Sequence, residues 1–387
     1  MRPVLNRRLA GLGTTIFAEM SARAVATGSI NLGQGFPDTD GPHEIAQAAA
    51  DAILAGRGNQ YPPGPGVPQL REAIKDHQHR FYQQAYDPET EILVTAGATE
   101  AIAAALLALV EPGDEVIAFE PYYDSYAACI AMAGGVRVPV TLRPPHFRPD
   151  LDELRQAITP RTRLILLNSP HNPTGVVFSR DELSTVARLA VQHDLLVITD
   201  EVYEHITFGG VPHIPLVQFP GMRERTVSIS SAGKTFSFTG WKIGWVMATQ
   251  ELVAAVRTAK QFLTFVSGGP FQYAIAAALA LPDSYYQDLR DSLQARRDLM
   301  VNGLREIGFD VHPPDGTYFI TTDVAPLGEK DGIEFCLALP ERAGVVAIPS
   351  VVFYDDKEAG RTQVRFAFCK RPEVLVEALD RLRVVTG

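Results

Sequence analysis

The chain has 387 residues, 46% apolar and 21% charged, the proportions of an ordinary folded protein. This composition excludes a disordered chain, a coiled coil and a collagen-like repeat, and the length suits two to three domains at roughly 150 residues each. With 35 basic residues against 45 acidic ones the net charge is −10, which argues against a broad basic footprint for nucleic acid or an anionic membrane and leaves room for a local basic pocket.

Near the N-terminus Arg2, Arg7 and Arg8 precede residues 9–18, but glycine and threonine break that stretch and it does not read as a signal peptide. Residues 92–95 read as a strand and 101–110 as a buried helix, stopped by Glu111-Pro112-Gly113-Asp114. Strand patterns follow at 115–120 and 163–167. Ser179 opens a helix with a capping box, Glu182 lying three residues on, and the helix should run to about His193. Further strands are expected at 195–199, 227–230 and 243–248. The longest uncharged run, 262–282, carries Ser267-Gly268-Gly269-Pro270 at its middle; it reads as two buried helix ends joined by a turn, not as a membrane span. A long charged helix at 284–307 leads into a strand pattern at 309–322 with a Pro313-Pro314-Asp315-Gly316 turn.

Strands apolar throughout are buried on both faces, as in a mostly parallel sheet, and their alternation with helices predicts a three-layer α/β domain over 43–282. Residues 283–387, with an N-terminal arm of residues 1–42, read as a smaller α+β domain. Cys129, Cys336 and Cys369 are odd in number, far apart and without a CxxC pair; a disulfide framework or thiolate zinc site is not expected, which suits a reducing cytoplasm.

Several common motifs fail. Gly233-Lys234-Thr235 ends like a P-loop, but Ser228 stands where the first glycine belongs. Gly33-Gln34-Gly35 begins like a dinucleotide fingerprint, but Asp38 replaces the third glycine. The nine histidines show no metal spacing, no metal is implied, and His77 and His79 read as a solvated helix surface.

The strand ends are more informative, because open α/β sheets bind ligands there. Ala96-Gly97-Ala98-Thr99 follows the first strand, where small residues at a helix N-terminus suit a phosphate. Asn168 to Gly175, Asp200-Glu201-Val202-Tyr203 and Ser230-Ser231-Ala232-Gly233-Lys234 follow later ones. A lysine that can form an imine with an aldehyde, an aspartate that keeps a pyridine nitrogen protonated, and a phosphate nest are the requirements of pyridoxal 5′-phosphate.

With these residues the chain resembles the class I/II aminotransferases of PLP fold type I along essentially its whole length. The resemblance rests on Ser231-Ala232-Gly233-Lys234 with Gly240-Trp241-Lys242-Ile243-Gly244-Trp245, on Ser169-Pro170-His171-Asn172-Pro173-Thr174-Gly175, on Asp200-Glu201-Val202-Tyr203, and on Val364-Arg365-Phe366-Ala367-Phe368. It implies that Lys234 binds the cofactor aldehyde and moves the proton between substrate Cα and cofactor C4′, that Asp200 pairs with the ring nitrogen, and that Tyr203 and Asn172 bond the ring oxygen. Tyr123 would stack on the ring, and Ala98, Thr99, Ser231 and Lys242 would hold the phosphate. Tyr61 would reach the phosphate of a neighbouring subunit, which implies a homodimer. Arg365 would grip the substrate carboxylate, aided by Asn172 and the backbone at Gly35.

The retained arginine strand and Asn-Pro-Thr-Gly loop favour a ping-pong exchange between an amino acid and a 2-oxo acid. The segments 15–21 and 31–38 resemble the kynurenine, methionine and glutamine group, within which the chain is most similar to actinobacterial N-succinyldiaminopimelate aminotransferases. A carbon–sulfur β-lyase on the same fold is one rival reading. A ligand-sensing regulator is another, though too few residues precede Gly33 to hold a winged helix. A non-catalytic dimeric scaffold is a third, hard to reconcile with the intact Lys, Asp and Arg set.

Overall fold

The computed structural model describes residues 4–10 and 15–386. Arg2 and residues 11–14, part of the stretch weighed as a signal peptide, lie outside the described residues. The strands are Ile30–Asn31 (β1), Ile92–Ala96 (β2), Glu115–Glu120 (β3), Val136–Thr141 (β4), Thr162–Asn168 (β5), Leu196–Asp200 (β6), Thr226–Ser231 (β7), Ile243–Met247 (β8), Asp310–His312 (β9), Phe319–Asp323 (β10), Val345–Val346 (β11), Ile348–Pro349 (β12) and Gln363–Ala367 (β13). The first four α-helices are Ile16–Thr27 (α1), His43–Leu54 (α2), Pro68–Tyr82 (α3) and Gly97–Leu109 (α4).

The larger sheet has the order β2-β8-β7-β6-β5-β3-β4. Only β8 runs against its neighbours; the rest are parallel. Side chains alternate between two apolar layers. Val116, Ala118, Leu164, Leu166 and Ile198 pack with α4 on one face. Ile117, Phe119, Ile165, Leu167 and Val197 pack against the helix Arg180–Gln192 on the other. Burial on both faces is why these strands carry no polar alternation, and each buried Leu or Ile contributes about 1.5–3 kcal/mol. The fold is therefore the α/β architecture expected.

The Ser179–Glu182 capping box is formed, each residue's backbone N–H donating to the other's side chain. Two local readings change, and one strand, β4, had none. Helix α4 starts at Gly97, four residues before the expected 101, because β2 runs straight into it. Strand β4 carries Arg137 and Pro139 and sits at the sheet edge, the place where a sheet tolerates both. The run 262–282 is not buried at its start: Phe262 is 82% exposed, and Leu263 and Phe265 are exposed too.

A second sheet has the order β12-β13-β10-β9, antiparallel throughout. It packs with the helices Asp283–Ile307, Gly332–Ala343 and Pro372–Leu382 in one apolar core. Met20, Ala24 and Leu32 join that core, and β1 pairs in parallel with β11, so the N-terminal segment is built into this layer. No helix among the described residues is long and apolar enough to cross a membrane.

Candidate active site

Parallel strands β2, β5, β6 and β7 all end at one edge of the larger sheet. Register places Asn168 beside Asp200 and Ser231 beside Gly244. Because β8 is antiparallel, it begins at that same edge, and Lys242 stands just before it. Arg365, central in β13 of the second sheet, faces these ends across a cavity of about 380 Å³. Gly35, Ala98, Thr99, Tyr123, Asn172, Asp200, Tyr203, Ser231, Lys234, Lys242 and Arg365 all line that cavity. Tyr61 does not; it is 82% exposed and packs edge-on against Phe265, with ring centroids 5.5 Å apart.

Lys234 sits in the short helix Ala232–Thr235, directly after β7. Desolvation pushes its amine down to about 8, against the pull of Cys369 and Asp200 and with help from Lys242 and Arg365. Its Nζ lies 3.4 Å from the carbonyl oxygen of Gly35. Asp200 is buried at the end of β6, which raises its carboxyl above the usual range. Two donors oppose that rise: the Tyr126 hydroxyl at 2.6 Å and the Val202 N–H at 3.3 Å.

Backbone geometry shapes the opposite end of the cavity. Helix α4 has no side-chain cap, so the N–H groups of its first turn are left for a ligand. Gly97 has φ +71°, and a Cβ there would stand 3.2 Å from the Lys242 ammonium. A Cβ on Gly244 would lie 2.5 Å from the Gly97 carbonyl carbon, so that glycine lets β8 approach the helix start. Lys242 Nζ donates to Thr99 Oγ1 at 3.2 Å. This is an anion cradle of backbone N–H groups, hydroxyls and one ammonium.

Arg365 is the third element. It is 2% exposed, and its Nη groups donate only to neutral oxygens, Asn172 Oδ1 at 3.1 Å and the Gly33 carbonyl at 2.8 Å. Its Nε–H has no partner among the described residues. The Phe319 ring covers the guanidinium at 4.0 Å, with Phe17 and Phe353 further out. Burial lowers its pKa to about 10. A buried cation held by neutral groups is incomplete until an anion arrives.

The donor set fits pyridoxal phosphate: an amine on one wall, a carboxylate on another, an anion cradle at the helix start. Asn168, Tyr126 and Tyr318 carry parts of the arrangement that sequence reasoning left unassigned. The Asn168 amide donates to the Asp200 carbonyl at 2.8 Å, and its oxygen accepts the Asn172 N–H at 2.7 Å. The Tyr318 hydroxyl donates to Gly35 at 2.6 Å. Tyr126 was signalled by its spacing, three residues after Tyr123 on one helix face, where the two rings meet edge to face at 5.8 Å. Its neighbour Tyr122 turns away beneath Arg137. His77 departs from the reading of a solvated surface: it is 2% exposed and contacts His205.

The sequence model described as aminotransferase class I and II matches residues 27–382. A probable N-succinyldiaminopimelate aminotransferase of Mycobacterium tuberculosis is 56% identical, with 98% of each chain covered. The methionine aminotransferase of Escherichia coli is 43% identical, with 97% of each covered. The solved structure of N-succinyldiaminopimelate aminotransferase from Mycobacterium tuberculosis superposes with a TM-score of 0.97 at 56% identity, covering 99% of this chain and all of that one. The chain belongs to the class I and II aminotransferases.

Proposed function

We propose that this aminotransferase uses pyridoxal 5′-phosphate to exchange an amino group between N-succinyl-LL-diaminopimelate and 2-oxoglutarate by a ping-pong route. The observation that carries the reading is the pairing, in one cavity, of a lysine amine lowered to about 8 with a buried arginine whose hydrogen bonds among the described residues go to neutral oxygens. When bound, the cofactor supplies an aldehyde for the amino nitrogen and a ring that takes up the electron pair released at the substrate Cα.

The chain's residues do the rest. Asp200, held by Tyr126 and the Val202 N–H, stands ready for a cationic ring nitrogen. Tyr203 and Asn172 offer hydrogen bonds to a ring oxygen, and Tyr123 offers an aromatic face. Ala98, Thr99, Ser231 and Lys242 suit a phosphate. Arg365 grips the substrate carboxylate as a fork and, with Asn172 and Gly35, orients the Cα–H toward Lys234. Lys234, neutral for a good fraction of the time near pH 8, takes the proton from that Cα.

The choice of substrate is supported by the 56% identity to the mycobacterial relative over nearly the whole chain. A homodimer belongs to the reading: Tyr61, 82% exposed, packs on the exposed Phe265 ring, and Phe262 is 82% exposed as well, apolar surface that a second copy would cover. Three free, buried cysteines suit a reducing cytoplasm. The test is an absorption spectrum of the purified protein as single amino acids and N-succinyl-LL-diaminopimelate are added in turn. The reading expects the visible cofactor band to bleach fastest with the succinylated donor. Faster bleaching by methionine or kynurenine would overturn the substrate, and a protein that pyridoxal phosphate cannot reconstitute would overturn the cofactor.

A further inference from the structure

A second cluster of chemistry-bearing side chains lies outside the cavity. His77 projects from α3, while Glu204 and His205 sit in the turn just beyond β6. The two imidazole Nε2 atoms are 2.7 Å apart, and the ligand atoms of all three residues lie within 4.8 Å of one another. All three are buried, between 2% and 5% exposed. The Phe81 ring lies 4.9 Å from the His77 ring and 4.7 Å from that of His205, and the Tyr286 ring lies 4.5 Å from His205 and 6.1 Å from His77. Such an apolar shell strengthens a metal–ligand bond by excluding water.

The geometry points to a site for a divalent transition metal of the zinc class, bound by His77 Nε2, His205 Nε2 and a Glu204 carboxylate oxygen. Two imidazoles and a carboxylate are a familiar zinc donor set, and a tetrahedral site spaces its ligand atoms about 3.3 Å apart. The imidazoles need to part by under an ångström, and the carboxylate to close in by somewhat more. Outer partners orient the carboxylate: the Ser230 hydroxyl donates to Glu204 Oε1 at 2.6 Å and the Gln78 amide nitrogen to its Oε2 at 3.4 Å.

A groove of about 510 Å³ between α3 and the end of the helix Gly269–Leu279 runs beside the cluster, lined by His77, Glu72, Asp76 and Arg80. A bound metal would clip α3 to the segment that carries Asp200 and, immediately before Glu204, Tyr203, stiffening the wall of the active cavity.

The test uses the tag-free full-length protein with its cofactor. It is stripped with chelator, equilibrated with Co²⁺ and desalted. The site predicts one cobalt per chain, visible bands of a four- or five-coordinate ion, and displacement by Zn²⁺. His77→Gln and Glu204→Gln should each weaken retention by more than the ~10–100-fold typical of outer-shell losses. Retention below about a tenth of an equivalent, or equal retention by His77→Gln, overturns the site and leaves an ordinary buried hydrogen-bond cluster. Should either variant misfold, X-ray absorption of the zinc-loaded wild type decides: two imidazole ligands support the site, and none refutes it.

Discussion

Arg365→Met separates a substrate anchor from a structural cation. In the structure both Nη groups bond neutral oxygens, and Nε–H bonds nothing among the described residues. A substrate carboxylate would gain two charge-assisted hydrogen bonds at about 1.5–3 kcal/mol each. Methionine forfeits both, about 3–6 kcal/mol, or roughly 10²–10⁴ in kcat/KM. Stability should behave differently. Removing a poorly paired buried charge relieves desolvation, while the Asn172 and Gly33 oxygens lose their donor, and the two effects largely offset. The unliganded protein is therefore expected to melt within about 4 °C of the wild type. The assay is the donor half-reaction followed at the cofactor band, run in parallel with the decarboxylated amine. The variant should lose the preference for the carboxylated donor. A kcat/KM within about threefold of wild type, or an intact preference, would refute the anchor. A large drop in melting temperature would refute the claim that Arg365 lacks a partner in the resting protein.

Tyr126→Phe removes the 2.6 Å hydrogen bond to Asp200, raises that carboxyl further and should cost about 10–100-fold in kcat/KM, with a shifted cofactor spectrum; an unchanged spectrum and rate would contradict this. Capture of pyridoxal phosphate by the apoprotein needs the free amine of Lys234, so its stopped-flow rate should rise tenfold per pH unit up to about 8 and then level off; a rise continuing to pH 10 would contradict the lowered amine. His171 is buried beside Thr174, and its pKa is lowered to about 4 from 6.5. The unfolded chain binds that proton first, so stability is intact above pH 6.5 and falls as the pH drops toward 4. At pH 5 the share of His171 in that loss is roughly 2 kcal/mol, and His171→Asn should remove that share in urea titrations while the shares of His77 and His205 remain. A wild type equally stable at pH 7 and pH 5 would count against it.

The sheet was legible because its strands are apolar on both faces, and their ends named Asp200 and Lys234 by the rule that ligands bind at carboxyl edges. Strand β4 was hidden by Arg137 and Pro139, which only an edge position explains. His77 was hidden because burial depends on partners far along the chain; His205 and Tyr286 cover it, and no local pattern announces them. The exposed Phe262 and Phe265 misled in the opposite direction: an uncharged run reads as core even where the fold leaves it exposed. Arg365 could be placed in a strand, but that its nitrogens meet only neutral groups is a three-dimensional fact.

The most direct test of the account is to add pyridoxal phosphate, reduce with borohydride and map the modified peptide by mass spectrometry. The account predicts one adduct per chain, on Lys234, and none in Lys234→Ala, which should also lose transamination. An adduct confined to another lysine, or a Lys234→Ala variant that transaminates at the wild-type rate, would contradict it.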